Sequence, residues 1–141
     1  LRGAPGSGKS FYAHGYAVGT LVGTPTLVVS ADHHFMGDDG VYRFDPQQLG
    51  VAHALCMRRF VEAVRNHTHE VIVVDNTNTT LAEVSPYLRV AQAFGGKVEI
   101  MECHHRFPNV HGVPADKVDA MRARMEPIPE WWGVPVRTVG P

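Results

Sequence analysis

Two short stretches of the chain, Thr26-Leu-Val-Val-Ser30 and Val71-Ile-Val-Val-Asp75, are apolar at successive positions with no alternation of polar residues. A strand with one wet face alternates, so these unbroken runs predict parallel strands covered by helices on both sides. Leu1-Arg2 reads as the stump of a further strand and Lys97 to Cys103 as a fourth. Helical stretches lie between them. One opens at about Lys9 and ends near Gly23, and a second follows Asp45-Pro46, where aspartate supplies a cap and proline takes the first helical position, and runs to about Asn66. A third follows Thr79-Thr80 and stops at Gly95-Gly96, and a fourth covers Pro114 to Glu126 before Pro127. Met36 to Tyr42, with Gly37-Asp-Asp-Gly40 inside it, reads as an exposed loop. The tail from Ile128 to Pro141, with Trp131-Trp132, reads as irregular structure or a short edge strand.

This alternation predicts an α/β fold built on a doubly wound parallel sheet with helices on both faces. In such a sheet ligands bind beyond the carboxyl ends of the strands, so chemistry is expected just after each strand. With 141 residues, 44% of them hydrophobic, one domain over 1–141 is expected, its first strand starting a few residues before Leu1 in the natural protein. Acidic residues number 14 against 13 basic, a net charge of -1, so no global basic field draws nucleic acid and any such contact is local. The apolar runs fall far short of the roughly 20 residues that span a bilayer, no membrane partner is expected, and no export-type start is present. A cytoplasmic, reducing setting is the expectation, with Cys56 and Cys103 packing as free, small hydrophobes.

Gly3-Ala4-Pro5-Gly6-Ser7-Gly8-Lys9-Ser10 fits the phosphate-loop pattern G-x-x-x-x-G-K-[ST] at every position, directly before a helical stretch. Glycines let successive N–H groups converge on phosphates, the helix adds the positive end of its dipole, Lys9 reaches the β and γ phosphates, and the Ser10 hydroxyl suits Mg²⁺. Phosphoryl transfer to a hydroxyl further needs a carboxylate to take its proton. Asp32, two residues beyond the second strand, is the best placed, the alternative being that it caps a turn. Asp75 ends the third strand and suits a magnesium-bound water; Asn76, Thr77 and Asn78 suit substrate, and Thr79 or Thr80 suits a helix cap.

Taken together, Gly3 to Ser10, Ser30-x-Asp32, Val41-Tyr-Arg-Phe-Asp45, Val74-Asp-Asn-Thr-Asn78 and His111-Gly-Val-Pro114 resemble the P-loop polynucleotide kinases, including the bacteriophage enzyme's kinase domain, over nearly the whole chain. The resemblance implies a P-loop kinase with a small helical lid that moves the γ-phosphoryl group of ATP, with Mg²⁺, to the 5′-hydroxyl end of DNA or RNA in end repair. It assigns nucleotide and metal roles to Lys9 and Ser10, the general base to Asp32 and the polar turn near the nucleic acid to Thr77 and Asn78. No stable protein partner is implied.

The chain departs from that family in several places. His33-His34 stands where relatives carry a second acid after the base, and Phe35 where the phage enzyme has a phosphate-gripping arginine, so base stacking on Phe35 is the expected substitute. His111 replaces a lid arginine, within Arg106-Phe-Pro-Asn109-Val-His111. A lid cation stabilises charge on the moving phosphoryl group, and Arg106, Arg122 and Arg124 are the candidates. Arg124 is the first choice, with Arg122 beside it, because Val118, Met121 and Met125 form the packed stripe of that helix. Arg58, Arg59 and Arg65 read as surface charges or a modest phosphate-tracking patch, and the nine histidines lack structural-zinc spacing. The rival readings are a small-molecule kinase acting on a nucleoside, sugar or antibiotic, favoured by the net charge and Phe35, and a nucleotide-binding module without transfer chemistry.

Overall fold

A computed structural model of the chain describes residues 1–18 and 25–141. The elements run α1 (Lys9–Val18), β1 (Thr26–Val29), α2 (Leu49–Asn66), β2 (Val71–Val74), α3 (Leu81–Ala93), β3 (Ile100–Cys103), α4 (Ala115–Ala123) and β4 (Val136–Val139). Single 3₁₀ turns cover Ala31–Phe35, Pro46–Gln48 and Glu130–Trp132. The strands and helices fall where the apolar pattern puts them. The expected end of the first helix near Gly23 lies outside the described residues. The tail folds as a 3₁₀ turn followed by β4, the edge-strand alternative.

β1 pairs in parallel with β2, Thr26 opposite Val71 and Val29 opposite Val74, and β3 pairs in parallel with β4, Ile100 opposite Val136 and Cys103 opposite Val139. Leu1 and Arg2 lie between these pairs. The Leu1 nitrogen donates to the Val74 carbonyl at 2.8 Å, while on the other side the Arg2 N–H donates to Met101 and the Cys103 N–H to Arg2, both at 2.9 Å. The order across the sheet is therefore β1, β2, residues 1–2, β3, β4. From the central stump the chain first moves left to β1 and then steps rightwards for every later strand. With right-handed crossovers, that reversal puts α1 on the face opposite α2 and α3 and opens a crevice beyond the stump, where the glycine loop lies.

The larger core gathers Val29, Ala31, Phe35, Ala52, Cys56 and Phe60, with Val74, Tyr87 and Val90 packed against it. A smaller one joins Met101, Cys103 and Val139 to Leu1 and Tyr12. Both cysteines are buried and free. Asp45 caps the turn that leads into α2 by accepting from the Gln47 N–H, with Pro46 at its start. α3 opens on a reciprocal capping box: the Glu83 N–H donates to Thr80 Oγ1 at 3.3 Å and the Thr80 N–H to Glu83 Oε2 at 3.0 Å.

Arg2 is 1% exposed, in the middle of the sheet. Its guanidinium donates to the carbonyls of Asn78, Thr79 and Glu126 at 3.0, 2.9 and 2.7 Å and to Glu102 Oε1 at 2.9 Å. Burial pulls its pKa below the ordinary arginine value, and Glu102 opposes that shift. Replacing it takes one donor from each of the carbonyls of Asn78, Thr79 and Glu126 and the guanidinium from the largely buried Glu102 carboxylate. Arg2→Met is expected to cost about 3–5 kcal/mol, read as a lowered urea midpoint in equilibrium unfolding. Thr80→Ala, which removes one half of the capping box, is expected to cost about 1 kcal/mol in the same assay.

Candidate active site at the carboxyl edge of the sheet

The glycine loop is pinned at its first residue, whose N–H donates to the Thr77 carbonyl at 2.8 Å. Gly3 has no room for a side chain: a Cβ there would lie 2.4 Å from Ser7 Oγ and 2.5 Å from the Cys103 carbonyl oxygen. Gly6 is constrained twice over, by a φ of +77° and by the Phe107 carbonyl oxygen, 2.3 Å from where its Cβ would be. The Phe107 N–H donates back to the Gly6 carbonyl at 2.8 Å, so residues beyond β3 close against the loop's outer side.

At the loop's end Lys9 Nζ donates to the Ala4 carbonyl at 3.1 Å, and Ser10 Oγ donates to Asp75 Oδ2 at 2.9 Å. Burial lowers the Lys9 pKa; the charges of Asp75, Cys103 and Asp32 pull it the other way. The Ser10–Asp75 pair unites the two oxygen donors expected to serve a metal. Hydroxyl and carboxylate oxygens are hard ligands of the kind Mg²⁺ takes alongside phosphate oxygens, so the donor set fits that ion.

Asp32 sits on the 3₁₀ turn after β1, its N–H capped by Ser30 Oγ at 3.2 Å. The turn is fixed to the neighbouring strand by Asn76, whose buried Oδ1 accepts from the Ala31 N–H at 2.8 Å. The side chain of Asp32 is half exposed and engaged from two directions. Tyr42 donates its hydroxyl to Asp32 Oδ1 at 3.0 Å, and His111 Nε2 lies 3.8 Å from Oδ2. The Tyr42 and His111 rings meet with centroids 4.8 Å apart. Burial and the adjacent carboxylate push the Tyr42 phenol pKa well up, so it remains a donor.

Sequence reasoning missed Tyr42 as a site residue. The Met36 to Tyr42 stretch, expected as an exposed loop, is a tight hairpin in which the Gly37 N–H donates to Val41 at 3.0 Å and Met36 bridges Tyr42. The fold-back carries Tyr42 to Asp32; the signal available was the Gly-Asp-Asp-Gly turn inside an apolar flank. His111 is delivered by Asn109, whose Oδ1 accepts from the His111 and Val113 N–H groups at 3.2 and 3.1 Å, with Gly112 at φ +66°.

Other expected contacts fall elsewhere. Phe35 is 5% exposed because the returning chain, tied back where the Arg43 N–H donates to the Phe35 carbonyl at 2.8 Å, packs Tyr42 and Phe44 on its ring; it offers no stacking face and belongs to the core. Asn78, also buried and at φ +47°, donates from its side chain to the Leu1 carbonyl at 2.9 Å, so its amide serves the central stump rather than a substrate. Thr77, partly buried, gives its carbonyl to the loop. α4 ends at Ala123, earlier than the expected Glu126, since residues 124–126 are sewn to the β2–α3 turn: Arg124 Nε donates to Thr79 Oγ1 at 3.1 Å and the Glu126 N–H to the Thr79 carbonyl at 2.8 Å. Arg122 pairs with Asp119 at 3.0 Å. Neither arginine is bonded to the loop or to Asp32 among the described residues, and Arg106 is exposed. On α2, Arg58 pairs with Glu62, while Arg59 reaches His33 Nδ1 at 3.3 Å.

A parallel sheet with a phosphate loop leaving its central strand position, and a serine–aspartate pair at the loop's end, defines a P-loop kinase-like domain. A family model described as AAA domain matches residues 1–107, and the chain belongs to that family. It is 35% identical over 130 residues to NEDD4-binding protein 2 of Homo sapiens, an alignment covering 86% of this chain and 7% of that protein's length. An uncharacterized protein of Pasteurella multocida is 29% identical over 134 residues, covering 86% of this chain and 72% of its own. Among solved structures, APS kinase from Mycobacterium tuberculosis superposes with a TM-score of 0.52 at 16% identity, over 89% of this chain and 94% of that one, a likeness of fold. Among the described residues no helix is long and apolar enough to cross a membrane.

The crowding at Gly6 gives a direct check. Gly6→Ala places a methyl group against the Phe107 carbonyl and forces the loop apart. An affinity for ATP lowered at least about tenfold, with the far-ultraviolet circular dichroism spectrum unchanged, is the expected outcome of calorimetric titration.

Proposed function

We propose that the domain is an ATP-dependent phosphotransferase acting on the 5′-hydroxyl end of DNA or RNA. The observation that carries the reading is Asp32: a half-exposed carboxylate one turn beyond β1, on the same edge of the sheet as the phosphate loop, with Oδ1 occupied by Tyr42. That leaves Oδ2 to take a proton from an incoming hydroxyl. The motifs shared with polynucleotide kinases support a nucleic-acid end as the source of that hydroxyl. The glycine loop and Lys9 bind the triphosphate of ATP and balance its charge. Ser10 and Asp75 would hold Mg²⁺, which when bound supplies further charge neutralisation at the phosphates.

In the proposed reaction the acceptor oxygen bonds to the γ-phosphorus, the bond from that phosphorus to the β-γ bridging oxygen breaks to release ADP, and the hydroxyl proton passes to Asp32. His111, facing Oδ2 across the entry side, gives way to the acceptor. The exposed Arg106 supplies the cationic character of the lid region, in place of Arg122 and Arg124, which are engaged elsewhere.

Incubation with γ-labelled ATP, Mg²⁺ and a 5′-hydroxyl oligonucleotide tests this reading. Wild type is expected to label the oligonucleotide. Asp32→Asn is expected to lose at least about 100-fold in kcat while binding ATP within about twofold of wild type, and Lys9→Ala to lose ATP binding. Label transferred at the wild-type rate by Asp32→Asn would remove the assigned base. Tight ATP binding with no labelled oligonucleotide would move the acceptor to a small hydroxyl compound.

A further inference from the structure

Beside the phosphate loop lies a set of rings that the transfer chemistry does not use. His105, two residues beyond β3, stacks with Tyr12 of α1 at a centroid separation of 6.2 Å and an interplanar angle of 23°. Phe107 stacks with the same imidazole at 5.1 Å and 21°. The Tyr12 hydroxyl lies 3.3 Å from His105 Nε2, which fixes the imidazole in its plane. The rings are set against the loop: a Cβ on Gly8 would meet His105 at 3.2 Å and Phe107 at 3.4 Å. From the other side the end of β4 closes in, where a Cβ on Gly140 would come within 2.8 Å of the His105 backbone nitrogen and 3.1 Å of its ring Cδ2. The imidazole is thus held by α1, the loop and the β4 end, whereas Phe107, the last ring, is 55% exposed.

A phenyl ring exposed at the rim of a ligand loop offers an apolar face that a flat group can cover. Its backbone is anchored to the loop by the Phe107 N–H, which donates to the Gly6 carbonyl, so the ring stays beside the loop. A nucleoside triphosphate whose phosphates occupy the loop carries its base on a short ribose tether. That makes the base the flat, partly apolar group delivered to this spot.

We propose that Phe107, backed by His105 and Tyr12, is the stacking platform for the base of the bound nucleoside triphosphate. The site recognises a π-face rather than a pattern of donors and acceptors, because the imidazole nitrogen nearest the stack is already paired with Tyr12. Adenine and guanine nucleotides are therefore accepted alike. The proposal rests on the reading that the glycine loop holds a triphosphate, and it is independent of the identity of the acceptor.

Calorimetric titration of wild type, Phe107→Ala, Phe107→Trp and Lys9→Ala with ATP, GTP and inorganic tripolyphosphate separates these readings. Phe107→Ala is expected to weaken ATP and GTP to a similar extent, by about 5- to 100-fold, and to leave tripolyphosphate within about twofold. Phe107→Trp is expected to retain both nucleotides. Because the phenyl ring is exposed, the alanine variant is expected to keep the wild-type thermal midpoint within a few degrees, which a melting curve checks. Unchanged ATP binding by Phe107→Ala, an equal loss for tripolyphosphate, or a wild-type preference for ATP over GTP above about tenfold would each overturn the platform. Failure of the loop reading shows itself separately, as tripolyphosphate binding that is absent from wild type or undiminished in Lys9→Ala, and it overturns the platform with it.

Discussion

Everything in this domain is built around a charge buried at the centre of its sheet. Arg2 brings a guanidinium into a position where water is absent, and the ionised group survives there only because Glu102 and the carbonyls of Asn78, Thr79 and Glu126 converge on it. Those partners lie 76 to 124 residues away along the chain. A single side chain thereby sets the distance between β3, the β2–α3 turn and the chain leaving α4. The phosphate loop begins at the next residue, so the loop inherits its position from the same cluster. The arrangement is costly to desolvate and correspondingly specific: few alternative packings of these segments bring four acceptors to one guanidinium.

The parallel sheet was readable because its physics is local. A strand covered on both faces has no wet side, and the runs at Thr26 and Val71 show that directly. The capping residues at Asp45 and Thr80 were likewise readable from their immediate neighbours. Arg2 itself was not. An arginine in a strand stump looks like an exposed end, and nothing within several residues announces acceptors from distant turns. The same reasoning explains Arg124, whose helical face looked free while its guanidinium reaches Thr79.

The site divides along the same line. Gly3 to Ser10 works as one contiguous peptide, so its pattern survives in the sequence, and Ser10 with Asp75 follows from where strands must end. Tyr42 and Phe107 were illegible because each acts through a return of the chain: a hairpin brings the first to Asp32, and a backbone pair at Gly6 pins the second. Phe35 shows the converse. It sits at a position of functional interest by spacing alone, and the chain that returns after it covers its ring with Tyr42 and Phe44. Spacing predicts proximity in sequence, whereas what the chain later packs against a side chain decides whether it meets solvent.

The stretch from His105 to Val113 has a mechanical consequence. At one end its backbone rests on Gly6 of the phosphate loop; at the other, the Asn109 turn sets His111 against Asp32. One short ribbon thus leans on both halves of the crevice. Drawing His111 aside to admit a guest pulls on a segment whose far end is clamped to the glycine loop. The room beside Asp32 is thus bounded by the same few residues that bound the outer side of the phosphate loop.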